Sequence, residues 1–141
     1  PILDMMAGVT DLAAARPAIA VLEGCGWVHA PHRSEAYWFY RPRPPAGHEH
    51  THHLHLTPPG SALWRERMAF RDALRADPVL RAEYQALKVR LAQLHGDTDG
   101  HTDGYTDGYT ADKRAFVARV LATAEIALAP RPGHRARDRE P

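Results

Sequence analysis

His48-Glu49-His50-Thr51-His52-His53-Leu54-His55-Leu56-Thr57 puts five of the chain's ten histidines within eight residues. Residues 50–57 read as a β-strand, stopped by Pro58-Pro59-Gly60. Side chains alternate faces along an extended strand. His53 and His55 therefore share one face, and His52, Leu54 and Leu56 share the other. Imidazoles at this spacing suit zinc or a similar divalent metal. They also serve as general acids or bases near neutral pH. The plainer alternative is a strand whose polar face happens to be rich in histidine.

Working outward, residues 36–41 hold Tyr37, Trp38, Phe39 and Tyr40, an aromatic density typical of a strand. Three prolines and a glycine over 42–47 form the loop between these two runs, which together predict an antiparallel hairpin. Upstream, the apolar run 2–8 fits a short buried strand. Thr10 offers a helix N-cap there. Leu12, Ile19 and Leu22 make a helical stripe, which Pro17 kinks or restarts and Gly24 and Gly26 end. Trp27-Val28 opens a further strand. Downstream the period becomes helical. Ser61 caps a helix to Ala76 that carries Leu63, Phe70 and Leu74. Asp77-Pro78 starts another helix, striped by Leu80, Tyr84, Leu87, Leu91 and Leu94. Thr110 caps a last helix with Phe116, Val117, Val120 and Leu121 on one stripe.

The 141 residues suit one domain, with 44% hydrophobic and 25% charged residues. No stretch approaches the run of about 20 apolar residues that a membrane helix needs. Pro1-Ile2-Leu3-Asp4 lacks a basic n-region and is not read as a signal peptide. The one cysteine, Cys25, excludes an internal disulfide and a Cys-rich zinc site among these residues. A cytoplasmic location is expected. Net charge is +1, and the tail 130–141 carries Arg131, Arg135, Arg137 and Arg139 against Asp138 and Glu140. The body is thus close to neutral, which argues against a dedicated nucleic-acid surface. The tail itself is expected to be disordered. Residues 96–109 hold a tandem Thr-Asp-Gly repeat but lack the ligand spacing of a calcium loop. They are expected to form a solvated loop.

Asp4 is a carboxylate in an apolar strand, costly to bury unless it is paired or holds a cation. Of the 18 basic side chains only Lys88 and Lys113 are lysines. Lys113 lies on the apolar face of the last helix near its N-terminus, a setting that suits a phosphate or carboxylate. Lys88 edges an apolar stripe, where its stem can simply cover the core. Arg71 either pairs with Asp72 at the surface or faces the site. Cys25 has no base beside it, and neither a Gly-x-Ser-x-Gly elbow nor a Gly-rich phosphate loop is present.

In order along the chain come Pro1-Ile2-Leu3-Asp4, Leu22-Glu23, Gly26-Trp27, Phe39-Tyr40-Arg41 and Thr51-His52-His53-Leu54-His55-Leu56. Phe70-Arg71-Asp72-Ala73-Leu74-Arg75, Tyr84, Leu87-Lys88, Tyr109-Thr110, Lys113 and Phe116-Val117 follow. Taken together these pieces resemble the GrpB-like family over residues 1–129. The resemblance implies a mixed α/β (α+β) fold, a nucleotidyltransferase-like sheet with helices packed on it. In that superfamily a Gly-Ser turn and acidic metal ligands hold a nucleotide triphosphate for transfer. This sequence starts beyond the turn, so an N-terminally truncated version of the fold is expected. Met5-Met6 replaces the partner acid of an Asp-x-Asp pair.

The leading expectation is a metal-dependent nucleotidyl or phosphoryl transfer site. Asp4, His53 and His55 would hold Mg, Mn or Zn, and Lys113, Arg71 and Lys88 would contact the anion. The substrate would be a small molecule or nucleotide, and neither a specific nucleic acid nor a membrane is an expected partner. The alternative is an inactive remnant that binds a partner strand or a second copy of itself through an exposed sheet edge. A zinc hydrolase is a third reading, with Asp4, His48 or His50 as the further ligand.

Overall fold

The computed structural model describes residues 2–31, 34–42, 50–95 and 107–124. Their elements are β1 (Leu3–Gly8), α1 (Leu12–Ala15), α2 (Ala18–Gly24), β2 (Val28–His29), β3 (Tyr37–Pro42), β4 (His50–Thr57), α3 (Ala62–Ala76), α4 (Pro78–His95) and α5 (Asp107–Ala122). The strands form one mixed sheet in the order β1-β4-β3-β2. β1 runs parallel to β4, and β3 is antiparallel to both β4 and β2. The mixed α/β architecture and the β3–β4 hairpin thus follow the sequence reading. Residues 43–49, 96–106 and 125–141 lie outside the described residues, and with them the hairpin loop, most of the tandem repeat and the basic tail.

Local chemistry sets the helix starts. Asp11, not Thr10, caps α1, its carboxylate accepting the Ala14 N–H at 2.7 Å. A charged acceptor makes the stronger cap bond. Pro17 divides the expected single helix in two, because it has no N–H to continue the ladder. Gly26, at φ 84°, turns the chain from α2 into β2, a left-handed conformation suited to glycine. Ser61 caps α3 by accepting from the Trp64 N–H at 3.1 Å. Asp77 accepts from Val79 and Leu80 at 2.8 and 3.1 Å and so starts α4. α5 begins at Asp107, so the last three residues of the expected loop 96–109 are helical instead. Once a helix is nucleated, each added residue gains a backbone bond.

β1 departs from the expected buried strand. It is the edge of the described sheet, and Leu3 is 55% exposed there. Phe39, at the centre of the sheet, is fully buried, as are Leu63, Leu91 and Leu121 on α3, α4 and α5. Phe70, Tyr84 and Phe116 join those three helices, with ring centroids 5.1–6.4 Å apart. An ion pair between Glu83 and Arg119 at 2.7 Å ties α4 to α5 outside them.

The sheet faces are divided between the helices. The Tyr37 hydroxyl donates to the Leu12 carbonyl at 2.9 Å, which sets α1 on the face of Tyr37 and Phe39. Arg41 donates to the Cys25 carbonyl at 3.4 Å, and Trp27 meets His52 edge-on, on that same face. α3 lies on the opposite face. A Cβ on Gly8 would stand 3.4 Å from the Trp64 ring and 3.0 Å from Pro59, so glycine is what lets α3 come this close. The Thr57 and Ser61 hydroxyls meet at 2.9 Å beside them. Among the described residues no helix is long and apolar enough to cross a membrane.

Candidate functional site

The face of the sheet on which α3 lies carries Asp4 from β1, His53 and His55 from β4, and Trp38 and Tyr40 from β3. Pairing explains the grouping. Asp4 is in register with His53, His53 with Tyr40, and His55 with Met6 and Trp38. Parallel pairing of β1 with β4 thus joins residues 49 positions apart in sequence. Asp4 Oδ1 accepts a hydrogen bond from His53 Nδ1 at 3.0 Å.

The two partners differ in exposure, His53 at 15% and Asp4 at 77%. Partial desolvation pushes the Asp4 carboxyl upward. The hydrogen bond and charge of His53, with the charges of Arg67 and His55, outweigh it and hold Asp4 below its ordinary value of 3.8. Asp4 is therefore ionised at neutral pH and acts as an acceptor. The expectation of a buried strand carboxylate is corrected here: an edge strand leaves Asp4 open to water.

A β-bulge extends the site. Arg41 pairs with His52, but the next residue, Pro42, pairs with His50, which leaves Thr51 as the extra residue. Strict alternation would set His50 on the face of His52. The bulge turns it instead toward His53, with His50 Nδ1 3.2 Å from His53 Nε2. The His50 ring stacks on Tyr40 at 3.9 Å with planes 7° apart. Trp38 packs against His53 with centroids 5.3 Å apart. Sequence periodicity alone misses this arrangement, since a bulge breaks the period it relies on.

The expected cations are spread more widely. Arg71 is exposed and bonded to Asp72 at 2.7 Å, and that pairing raises its already high pKa. Lys88 lies over the Tyr84 ring at 5.2 Å, in the aromatic junction of α3, α4 and α5. Lys113 is half-buried on α5. The arginine whose charge acts on Asp4 is Arg67, one turn before Arg71 on α3. Next to it Glu66 is buried at 6% exposure, with Arg67 Nε 3.8 Å from Glu66 Oε1. Glu66 falls between Leu63 and Phe70 on the apolar stripe of α3, and that misplaced acid was its sequence signal.

Among the described residues, the exposed carboxylate that a cation would find on this face of the sheet is Asp4. Among the described residues no three His, Cys, Asp or Glu side chains gather closely enough to hold a metal by themselves. This donor set does not suit a closed zinc site, which takes four protein ligands. It does fit Mg or Mn, which are held by one or two carboxylates together with water and substrate phosphates.

Comparison with known proteins agrees with this architecture. A UPF0157 protein of Deinococcus radiodurans is 33% identical over 123 residues, 87% of this chain and 58% of that protein. UPF0157 protein YqkA of Bacillus subtilis is 31% identical over 98 residues, 70% of this chain and 28% of that protein. The chain thus spans less than two thirds of the length of either relative. The crystal structure of conserved protein GrpB from Enterococcus faecalis superposes with a TM-score of 0.67 at 23% identity, covering 89% of this chain and 72% of that one. That likeness is one of fold. The family pattern described as GrpB protein matches residues 1–123, and with this match the chain belongs to the GrpB family.

Proposed function

We propose that the Asp4–His53 face binds a small phosphorylated substrate, a nucleotide triphosphate in the leading case, and supports nucleotidyl or phosphoryl transfer with a hard divalent cation. The observation that carries this reading is the Asp4–His53 pair, an ionised carboxylate bonded at 3.0 Å to a histidine on the adjacent strand. Bound Mg or Mn would supply neutralisation of phosphate charge, which such transfers require.

Asp4 supplies the oxygen ligand. His53, oriented by Asp4, and His55 line the floor beside it. Both nitrogens of His53 lie within hydrogen-bond distance of protein groups, which favours Asp4 over His53 as the ligand. Arg67 is the cation best placed for the anion, since its charge already reaches Asp4. Lys113, Arg71 and Lys88 stay in the proposal as outer anion contacts.

Calorimetric titration with Mn and a non-hydrolysable nucleotide triphosphate tests the reading. Binding to the native chain that weakens in Asp4→Asn and Arg67→Ala is the expected result. Absence of binding, or equal binding by these variants, would overturn it.

A second reading, a binding or oligomerisation module, is favoured by one observation. β1 has a strand neighbour on one side only among the described residues, and Leu3 is exposed there. Such an edge is a template for a further strand. A stable monomer in sedimentation across a wide concentration range would count against self-association through it.

A further inference from the structure

We infer that His50 is a positioning residue for His53, linked to it in a one-way hydrogen-bond chain that runs from His50 through His53 to Asp4. The inference rests on the reading of the Asp4–His53 face as the functional site, and adds to it a residue that strand alternation would place on the other side of the sheet.

The direction of the chain follows from the donor inventory. Asp4 is an exposed carboxylate, acceptor-only at neutral pH, so the hydrogen on His53 Nδ1 points to it across 3.0 Å. In the neutral imidazole this leaves Nε2 of His53 as a lone pair. That lone pair faces His50 Nδ1 at 3.2 Å, so His50 Nδ1 is the donor. Both rings are then Nδ1–H tautomers. A histidine whose partner fixes its second nitrogen is held in one tautomer and one orientation.

The surroundings hold His50 in this role. It is 9% exposed, stacked on Tyr40 at 3.9 Å, with Trp38 6.3 Å away between centroids. The bulge at Thr51 costs regular pairing at the end of β4. Its product is the turn of His50 onto the face of His53. The Thr51 hydroxyl donates to the Arg41 carbonyl at 3.3 Å within the bulge.

The test is long-range proton–nitrogen NMR on the whole chain labelled with 15N-histidine, above the titration range of histidine and without metal or nucleotide. The expected signature is a protonated Nδ1 on both His50 and His53. His50→Phe keeps an aromatic ring for Tyr40 and removes the donor. Its His53 Nε2 resonance is expected to move to the position of an unbonded acceptor. His50→Gln, whose amide can donate, is expected to restore part of that shift. An Nε2–H tautomer at either histidine in the native chain would overturn the inference, even if neither variant folds. So would an unmoved His53 resonance in a folded His50→Phe. These signals are read without substrate, so they stand or fall separately from the transfer reading.

Discussion

Asp4 and His53 sit opposite each other on neighbouring parallel strands, joined at 3.0 Å, with the carboxylate open to water and the imidazole largely covered. The arrangement keeps an ionised oxygen available to solution while its partner ring is held by Trp38 and His50 behind it. An exposed negative charge on a fixed support suits a cation, because little ordering is left to be done when one arrives.

The pair predicts a pH signature. Asp4 is depressed below 3.8 in the folded chain, so its contribution is fully present above the unfolded value. That contribution is lost as pH falls through the lower folded value. Asp4→Asn should therefore differ from the native chain above the unfolded carboxylate value, by a gap that narrows below about pH 4. With the carboxylate this exposed, the gap should lie within about 0–1 kcal/mol. Urea unfolding at a series of pH values measures it, and a gap that stays level into strong acid would contradict the assignment.

Phe39 is the test of the sheet's core. It is fully buried on β3 between β4 and β2. Phe39→Ala should cost about 3–5 kcal/mol, from lost burial and the cavity left behind. Chemical denaturation with a cooperative midpoint reads this directly. A loss under about 1 kcal/mol would mean that β3 is not packed as described.

The entry to α3 gives a smaller, separate prediction. Ser61 accepts from the Trp64 N–H and meets Thr57 across 2.9 Å, so it joins α3 to the end of β4. Ser61→Ala should cost about 0.5–2 kcal/mol as a lost cap. Gly8→Ala, on the adjacent strand, would bring a methyl within 3.0 Å of Pro59 and 3.4 Å of Trp64. Its expected cost is about 1–3 kcal/mol of overpacking. Thermal unfolding of the two single variants checks both.

Much of this fold was legible because its signals are local. Ser61 and Asp77-Pro78 announce their helices, and the aromatic run in β3 announces a strand. The common face of His53 and His55 follows from alternation alone. What was not legible depends on contacts distant in sequence. The pairing of Asp4 with His53 needs the parallel register of β1 and β4. The role of His50 needs a bulge that reverses its face. Arg67 and Arg71 are four residues apart and share one side of α3, so periodicity cannot choose between them. The structure sets Arg71 against Asp72 and lets the charge of Arg67 reach Asp4. Proline permits either a kink or a new start, so the local sequence does not decide the split of the first helix at Pro17.

The most direct test of the central claim is Mn binding in the presence of a non-hydrolysable nucleotide triphosphate, compared between the native chain and Asp4→Asn by calorimetry. The expected result is a ternary complex with the native chain, weakened about tenfold or more in Asp4→Asn by loss of the charged ligand, or about 1.4 kcal/mol. Equal affinity in the two proteins, or no binding to either, would contradict it.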